Sequence, residues 1–206
     1  HSCPLPIVPG CDGSGVVETL FTGPKDWSGW PRACSPDGKW ILEGAGQSTG
    51  SSNIVAIPMS RSGEPVPVAA TPANEEDPQF SPDGRFVAYK SAESGRDEVY
   101  VAAFPPTGAK WQVSQEGGVE PRFSRDGKEL FYFDRENRLT AVEIKTSGSV
   151  FETGASKFLF QFHGAGADRR YDVAPDGQRF LVTTELEDKA TPLITLVANW
   201  PATIRP

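Results

Sequence analysis

Only a few residue groupings in this 206-residue chain are spaced for chemistry, and each falls short of a working site on its own terms. Gly46-Gln47-Ser48-Thr49-Gly50 fits the Gly-x-Ser-x-Gly elbow, which lifts a serine hydroxyl toward a histidine base. That elbow is a strained turn from a strand into a helix, whereas Ser51-Ser52-Asn53 leads into the β-branched run Ile54-Val55-Ala56-Ile57. His1 and His163 are the two histidines that could serve as the base, so the sequence predicts a loop between strands at Ser48 and no catalytic residue. His163 stands in a Gly/Ala-rich stretch beside Arg169 and Arg170, without the companions at ligand spacing that a metal requires; neither metal nor cofactor is expected. Phosphoryl transfer is not expected either, because the chain has no Gly-rich loop with a following strand lysine, no His-Arg-Asp and no Asp-Phe-Gly.

Binding is a better fit to what remains. A formal charge of −7 argues against nucleic acid, whose affinity comes from clustered Lys and Arg meeting phosphates. No apolar run approaches the length of a membrane span. Cys3, Cys11 and Cys34 are too few and too irregular for a disulfide framework; a Cys3–Cys11 bridge would need an oxidising compartment, and free thiols are the simpler expectation. Glu75-Glu76-Asp77 suits a cation or a basic partner but reads first as a solvated loop.

The elements that must position such groups are announced by a repeat. Ser35-Pro36-Asp37-Gly38 returns as Ser81-Pro82-Asp83-Gly84, Ser124-Arg125-Asp126-Gly127 and Ala174-Pro175-Asp176-Gly177, at a spacing of about 45 residues. Proline presets the first central position of a turn, aspartate bonds its own backbone at the second, and glycine takes the left-handed position that closes a bulged hairpin. The flanks are aromatic and β-branched, as in Pro78-Gln79-Phe80, Arg85-Phe86-Val87-Ala88-Tyr89 and Leu130-Phe131-Tyr132-Phe133, so each copy predicts a hairpin. Further strands are expected at Asn53–Ile57, Val66–Ala69, Glu98–Ala102, Lys110–Val113, Leu139–Glu143, Lys157–Phe160, Tyr171–Val173 and Pro192–Val197. Trp40, Phe86, Tyr89, Phe131 and Tyr132 are the expected core.

Four strands per unit at this period is the pattern of β-propeller blades, so the fold class is all-β. The blades fall at about 23–70, 71–114, 115–162 and 163–206 of a single domain 1–206, after a tail at 1–22. Val16–Thr22 reads as a lone outer strand. Either it completes the fourth blade and closes a small ring, or the chain is part of a larger ring of the six-bladed type, which is the favoured reading. A chain opening on His1, with Met59 its sole methionine, reads as part of a longer reading frame. In a propeller, the connections from outer to next inner strand share one face. They carry Trp27, Trp30, Glu75, Glu76, Glu120, His163, Arg169 and Arg170, which together would make a recognition rim; packing of the tryptophans between blades is the competing expectation.

Phe80-Ser81-Pro82-Asp83-Gly84-Arg85-Phe86-Val87-Ala88-Tyr89, followed by Glu98-Val99-Tyr100-Val101, resembles the TolB-like, WD40-like (PD40) propeller repeat. Lys110-Trp111-Gln112-Val113-Ser114, Gly127-Lys128-Glu129-Leu130-Phe131-Tyr132, Arg170-Tyr171-Asp172-Val173 and Val197-Ala198-Asn199-Trp200-Pro201 resemble the C-terminal propeller of bacterial serine/threonine protein kinases. Cys34 replaces the aromatic residue before the serine, Arg125 replaces proline and Ala174 replaces serine; these departures weaken single turns and leave the repeat intact. The resemblance implies a non-catalytic sensor or interaction domain that binds a protein or small-molecule ligand on its rim. It also implies an upstream kinase domain in the parent chain and a place on the extracytoplasmic, periplasmic side of a bacterial membrane. Two similar arrangements remain open: the gating propeller of a prolyl oligopeptidase-type serine peptidase, and a free-standing TolB-like periplasmic scaffold.

Overall fold

The computed structural model describes residues 28–46, 51–60, 63–162, 170–183 and 194–197. Each repeat folds as an antiparallel sheet whose strands pair in chain order. The first contains β1 (Ser28–Cys34), β2 (Trp40–Gly46), β3 (Ser52–Pro58) and β4 (Val66–Ala69). The second contains β5 (Glu75–Phe80), β6 (Phe86–Ser91), β7 (Glu98–Ala103) and β8 (Lys110–Gln112). The third contains β9 (Val119–Phe123), β10 (Glu129–Phe133), β11 (Arg138–Ser147) and β12 (Val150–Gln161), and the fourth shows β13 (Tyr171–Val173), β14 (Phe180–Thr183) and β15 (Ile194–Val197). No helix occurs among the described residues, so none there is long and apolar enough to cross a membrane. The expected strand Val16–Thr22, Ser48 and the Cys3–Cys11 pair lie outside the described residues.

The repeated tetrapeptide makes the first turn of every sheet. Gly38, Gly84, Gly127 and Gly177 sit at φ +69°, +71°, +71° and +67°, where a Cβ would be strained. In the first three copies the serine hydroxyl ties the turn shut. Ser81 Oγ donates to Asp83 Oδ1 at 2.7 Å and accepts from Phe86 N at 3.0 Å, and Ser35 and Ser124 do the same with Asp37 and Trp40 and with Asp126 and Glu129. These bonds favour the ionised carboxyl: the Ser35 and Ser124 hydroxyls are the main reason that Asp37 and Asp126 are held below the usual aspartate range. Ala174 has no hydroxyl, and Asp176 is lowered chiefly by the backbone N–H of Gln178 instead.

Sheets stack face to face, and alternation along each strand decides which neighbour a residue meets. Val87 and Tyr89 of β6 pack toward the first sheet with Leu42, Ile54 and Ala56, whereas Phe86 and Ala88 pack toward the third with Leu130, Tyr132 and Val142. Phe131 and Phe133 of β10 turn the other way, onto Tyr171, Phe180 and Val182 of the fourth. Because the inner sheets are covered on both faces, β6, β7 and β10 are apolar along nearly their whole length. Phe86, Tyr89, Phe131 and Tyr132 are buried as expected, while Trp40 is half-buried and meets Phe104 edge-on at 5.4 Å.

Two local expectations are revised. β5 and β9 begin at Glu75 and Val119, ahead of the prolines expected to open them, because a bulge carries the pairing past Pro78 and Pro121. The β11–β12 hairpin runs far beyond Leu139–Glu143 and Lys157–Phe160. Its tip reaches the second sheet, where Phe151 meets Phe86 at 5.3 Å and Trp111 at 5.6 Å, and Arg85 Nη1 donates to Gly148 O at 2.6 Å.

Candidate functional site

The first strands of all four sheets converge on one concavity of about 960 Å³, within the range of small-ligand sites. Its lining follows the repeat. Two residues ahead of Ser35, Ser81, Ser124 and Ala174 stand Ala33, Gln79, Arg122 and Asp172, and all four line it. Four residues ahead stand Pro31, Asp77, Glu120 and Arg170, of which Asp77 lines it; Arg32 joins because β1 skips it in pairing with β2. The chain thus presents the guanidinium groups of Arg32, Arg122 and Arg125, the carboxylates of Asp37, Asp77 and Asp172 and the Gln79 amide, with Gln79, Arg122 and Asp172 coming from one repeat position of different sheets. Such a lining can orient a polar ligand.

The residues four ahead of each turn behave in three ways. Glu120 is buried and clasped: Arg170 reaches its two carboxylate oxygens through Nε at 2.5 Å and its backbone N–H at 2.8 Å. The Arg170 guanidinium also lies 4.5 Å from the Phe133 ring centroid and donates to Asn137 Oδ1 at 2.7 Å. Tyr171 donates its hydroxyl to Glu120 O at 2.9 Å, and burial pushes its proton affinity well up. Asp77 has the same left-handed backbone as Glu120, φ +54° in both, yet the equivalent residue of the next sheet is Glu120 itself, another acid. Among the described residues the Asp77 carboxylate has no hydrogen bond and no ion pair. Burial raises its pKa, against the pull of Lys90, Arg122 and Arg32, and the Glu120 charge raises it further. Lys90 is engaged elsewhere, 2.6 Å from Glu76 and 3.7 Å from Asp97.

The expected rim residues are distributed differently from an open cluster. Trp30 lies on β1, opposite Gly44, and is 64% exposed, so it does not pack between sheets. Glu76 is half-buried and paired with Lys90. Glu75 is fully buried and accepts from the Thr71 hydroxyl and backbone N–H; burial, the largest influence, raises its pKa despite those bonds. Glu75 therefore pins the connection at Thr71 and Glu120 ties the third sheet to the fourth, and neither faces solvent. Trp27, His163 and Arg169 lie outside the described residues. Arg32, Gln79 and Arg122 were not singled out from sequence, although aligning the repeats on their serines places Gln79 and Arg122 at one position. No group of three or more His, Cys, Asp or Glu is arranged for a metal among the described residues.

Solved structures with the same arrangement identify the architecture. TolB from Acinetobacter baumannii superposes at a TM-score of 0.60 with 21% identity, over 88% of this chain and 43% of that one. The fold is a TolB-like β-propeller. The putative TolB from Agrobacterium tumefaciens gives 0.59 with 17% identity, over 82% of this chain and 61% of that one. A puromycin-hydrolysing peptidase from Mycobacterium tuberculosis gives 0.60 with 20% identity, over 88% and 31%. The chain thus spans between two-fifths and three-fifths of the TolB structures that it matches. No protein-family model matches the sequence, and no curated protein does.

Proposed function

We propose that this chain is a non-catalytic recognition propeller, the sensor region of a bacterial serine/threonine protein kinase, displayed on the extracytoplasmic side of the membrane. The observation that carries the binding role is the convergence of four first strands on one concavity lined by Arg32, Asp77, Gln79, Arg122 and Asp172. The kinase assignment rests on the sequence resemblance at Lys110–Ser114, Gly127–Tyr132 and Arg170–Val173. A ligand enters the concavity, Trp30 supplies apolar contact at the rim, and occupancy is passed to the kinase domain through the stacked sheets. Trp27, His163 and Arg169 extend the rim beyond the described residues in this reading.

The test uses the full-length parent protein. Arg122→Gln and Trp30→Ala should each change ligand-dependent autophosphorylation while leaving basal phosphorylation intact. Unchanged ligand response in both would end the sensor reading. The peptidase reading draws on the match to the puromycin-hydrolysing enzyme. It predicts a serine hydrolase domain in the parent reading frame, and a kinase domain there would remove it.

A further inference from the structure

The half-buried polar lining of the concavity includes groups already used by the fold and two left without an ion pair among the described residues, Arg122 and Asp77, which are of opposite charge; Arg125 and Asp172 also line it but are exposed. Gln79 Oε1 accepts from Phe123 N at 2.7 Å, which leaves its amide N–H₂ free to donate. Arg122 gives Nη1 to Pro121 O at 2.8 Å and lies 5.8 Å from the Tyr171 ring centroid; among the described residues it has no carboxylate partner. Asp77 is the mirror case, a carboxylate without a cation. Arg122 lies near enough to act on the Asp77 charge, yet the two form no ion pair. Both therefore remain open toward the concavity.

The repeat explains why. At the position four ahead of the turn, acid, acid and base occur in succession as Asp77, Glu120 and Arg170. The base is consumed by Glu120, and nothing at the equivalent position serves Asp77. A purely structural position would be expected to end in a clasp like its neighbour, because an unpartnered, half-buried carboxylate costs stability.

We propose that the concavity takes a small zwitterion, with Asp77 receiving its ammonium and Arg122, assisted by the Gln79 amide, receiving its carboxylate. This rests on the concavity being the binding site. A simple anion would meet the Asp77 charge, and a metal cation would meet the guanidinium groups of Arg122 and Arg32. A ligand carrying both charges satisfies both groups at once.

Triglycine, N-acetyl-triglycine and triglycine amide separate the charges on one backbone. Amide chemical shifts of the isotope-labelled chain are followed during titration to about 10 mM, with thermal midpoints of each variant recorded as a folding control. Triglycine is expected to shift resonances at Asp77, Gln79 and Arg122, and to bind about tenfold or more tighter than either blocked form. Asp77→Asn should abolish its advantage over N-acetyl-triglycine, and Arg122→Gln its advantage over triglycine amide. Equal binding of the three, indifference to both substitutions in folded protein, or no shift from any of them overturns the zwitterion. A blocked form that shifts concavity resonances as strongly as triglycine, or a concavity variant that alters kinase phosphorylation without any preference for triglycine, keeps the recognition reading while this inference falls. Silence in both experiments removes both.

Discussion

The Glu120–Arg170 clasp joins the third sheet to the fourth, and its removal offers the sharpest test of how the blades are held. Glu120 is 4% exposed and takes two bonds from Arg170, at 2.5 and 2.8 Å. Each charge-assisted bond is worth about 1.5–3 kcal/mol, and breaking a buried pair by removing one partner costs about 3–5 kcal/mol. Arg170 keeps Asn137 and the Phe133 face after the loss, which places Glu120→Ala near the lower end, at about 3 kcal/mol. For a chain of this length that is a fall of about 6–12 °C in Tm. Arg170→Ala costs about as much, since the contact with Phe133 goes too. The two together cost less than their sum because neither leaves an orphaned charge, and the coupling expected in a double-mutant cycle is about 2 kcal/mol. Urea unfolding midpoints of the four proteins measure it. A Glu120→Ala cost below about 1 kcal/mol, or coupling below about 0.5 kcal/mol, would refute the clasp, because exposed pairs already reach that size.

Four further outcomes follow from individual contacts. Ala174→Ser restores the hydroxyl present in the other three turns and should stabilise by about 1 kcal/mol in urea unfolding, with no gain if the fourth turn differs in geometry. Asp77→Asn tests the raised pKa: the native group's contribution is full below the unfolded aspartate value of 3.8 and is lost as pH rises through the higher folded value. The variant should therefore match the parent below pH 3.8 and exceed its Tm once the pH has passed the raised folded value, and parallel curves would contradict this. At Gly118 a Cβ would come within 2.5 Å of Ser114 Oγ and 2.9 Å of Val99 Cγ2. Ser114 is committed to Glu98, so Gly118→Ala should cost about 1–3 kcal/mol by the same assay. Phe151→Ala should cost about 3 kcal/mol and speed hydrogen exchange at the hairpin tip, and unchanged exchange there would mean that the tip is held by Arg85 alone.

Where a feature depended on a short stretch of chain, it was legible. The turn at Ser81–Gly84 is set by aspartate and glycine at fixed spacing, and all four copies adopt it even where Arg125 replaces proline and Ala174 replaces serine. Burial on both faces was equally readable, since Glu98–Ala103 and Leu130–Phe133 carry apolar side chains at odd and even positions alike. The long hairpin was not. Lys145 to Val150 and Glu152 to Phe158 are exposed, so no alternation marks them as strand, and the buried Phe151 between them gains meaning only from the neighbouring sheet. The setting of the acidic run was hidden for a related reason. Reading Glu75-Glu76-Asp77 as a solvated run ignored the bulge that turns Glu75 inward to Thr71 and leaves Asp77 beside the concavity.

The same comparison shows where function can reside in a repeat fold. Positions that recur unchanged, such as the turn glycines and the alternating core, serve every blade and so cannot distinguish one ligand from another. Positions that vary at fixed register are free to do so, as in two registers beside the turn: Pro31, Asp77, Glu120 and Arg170 in one, of which Asp77 lines the concavity, and Ala33, Gln79, Arg122 and Asp172 in the other, all of which line it. Within the first register, Glu120 and Arg170 cancel one another across adjacent sheets, while within the second Gln79 spans to Phe123. Cancellation there leaves Asp77 and Arg122, from neighbouring sheets, as half-buried charges without an ion pair among the described residues. A ligand that bridges these two residues would also bridge two blades, so its binding would stiffen the stack of sheets.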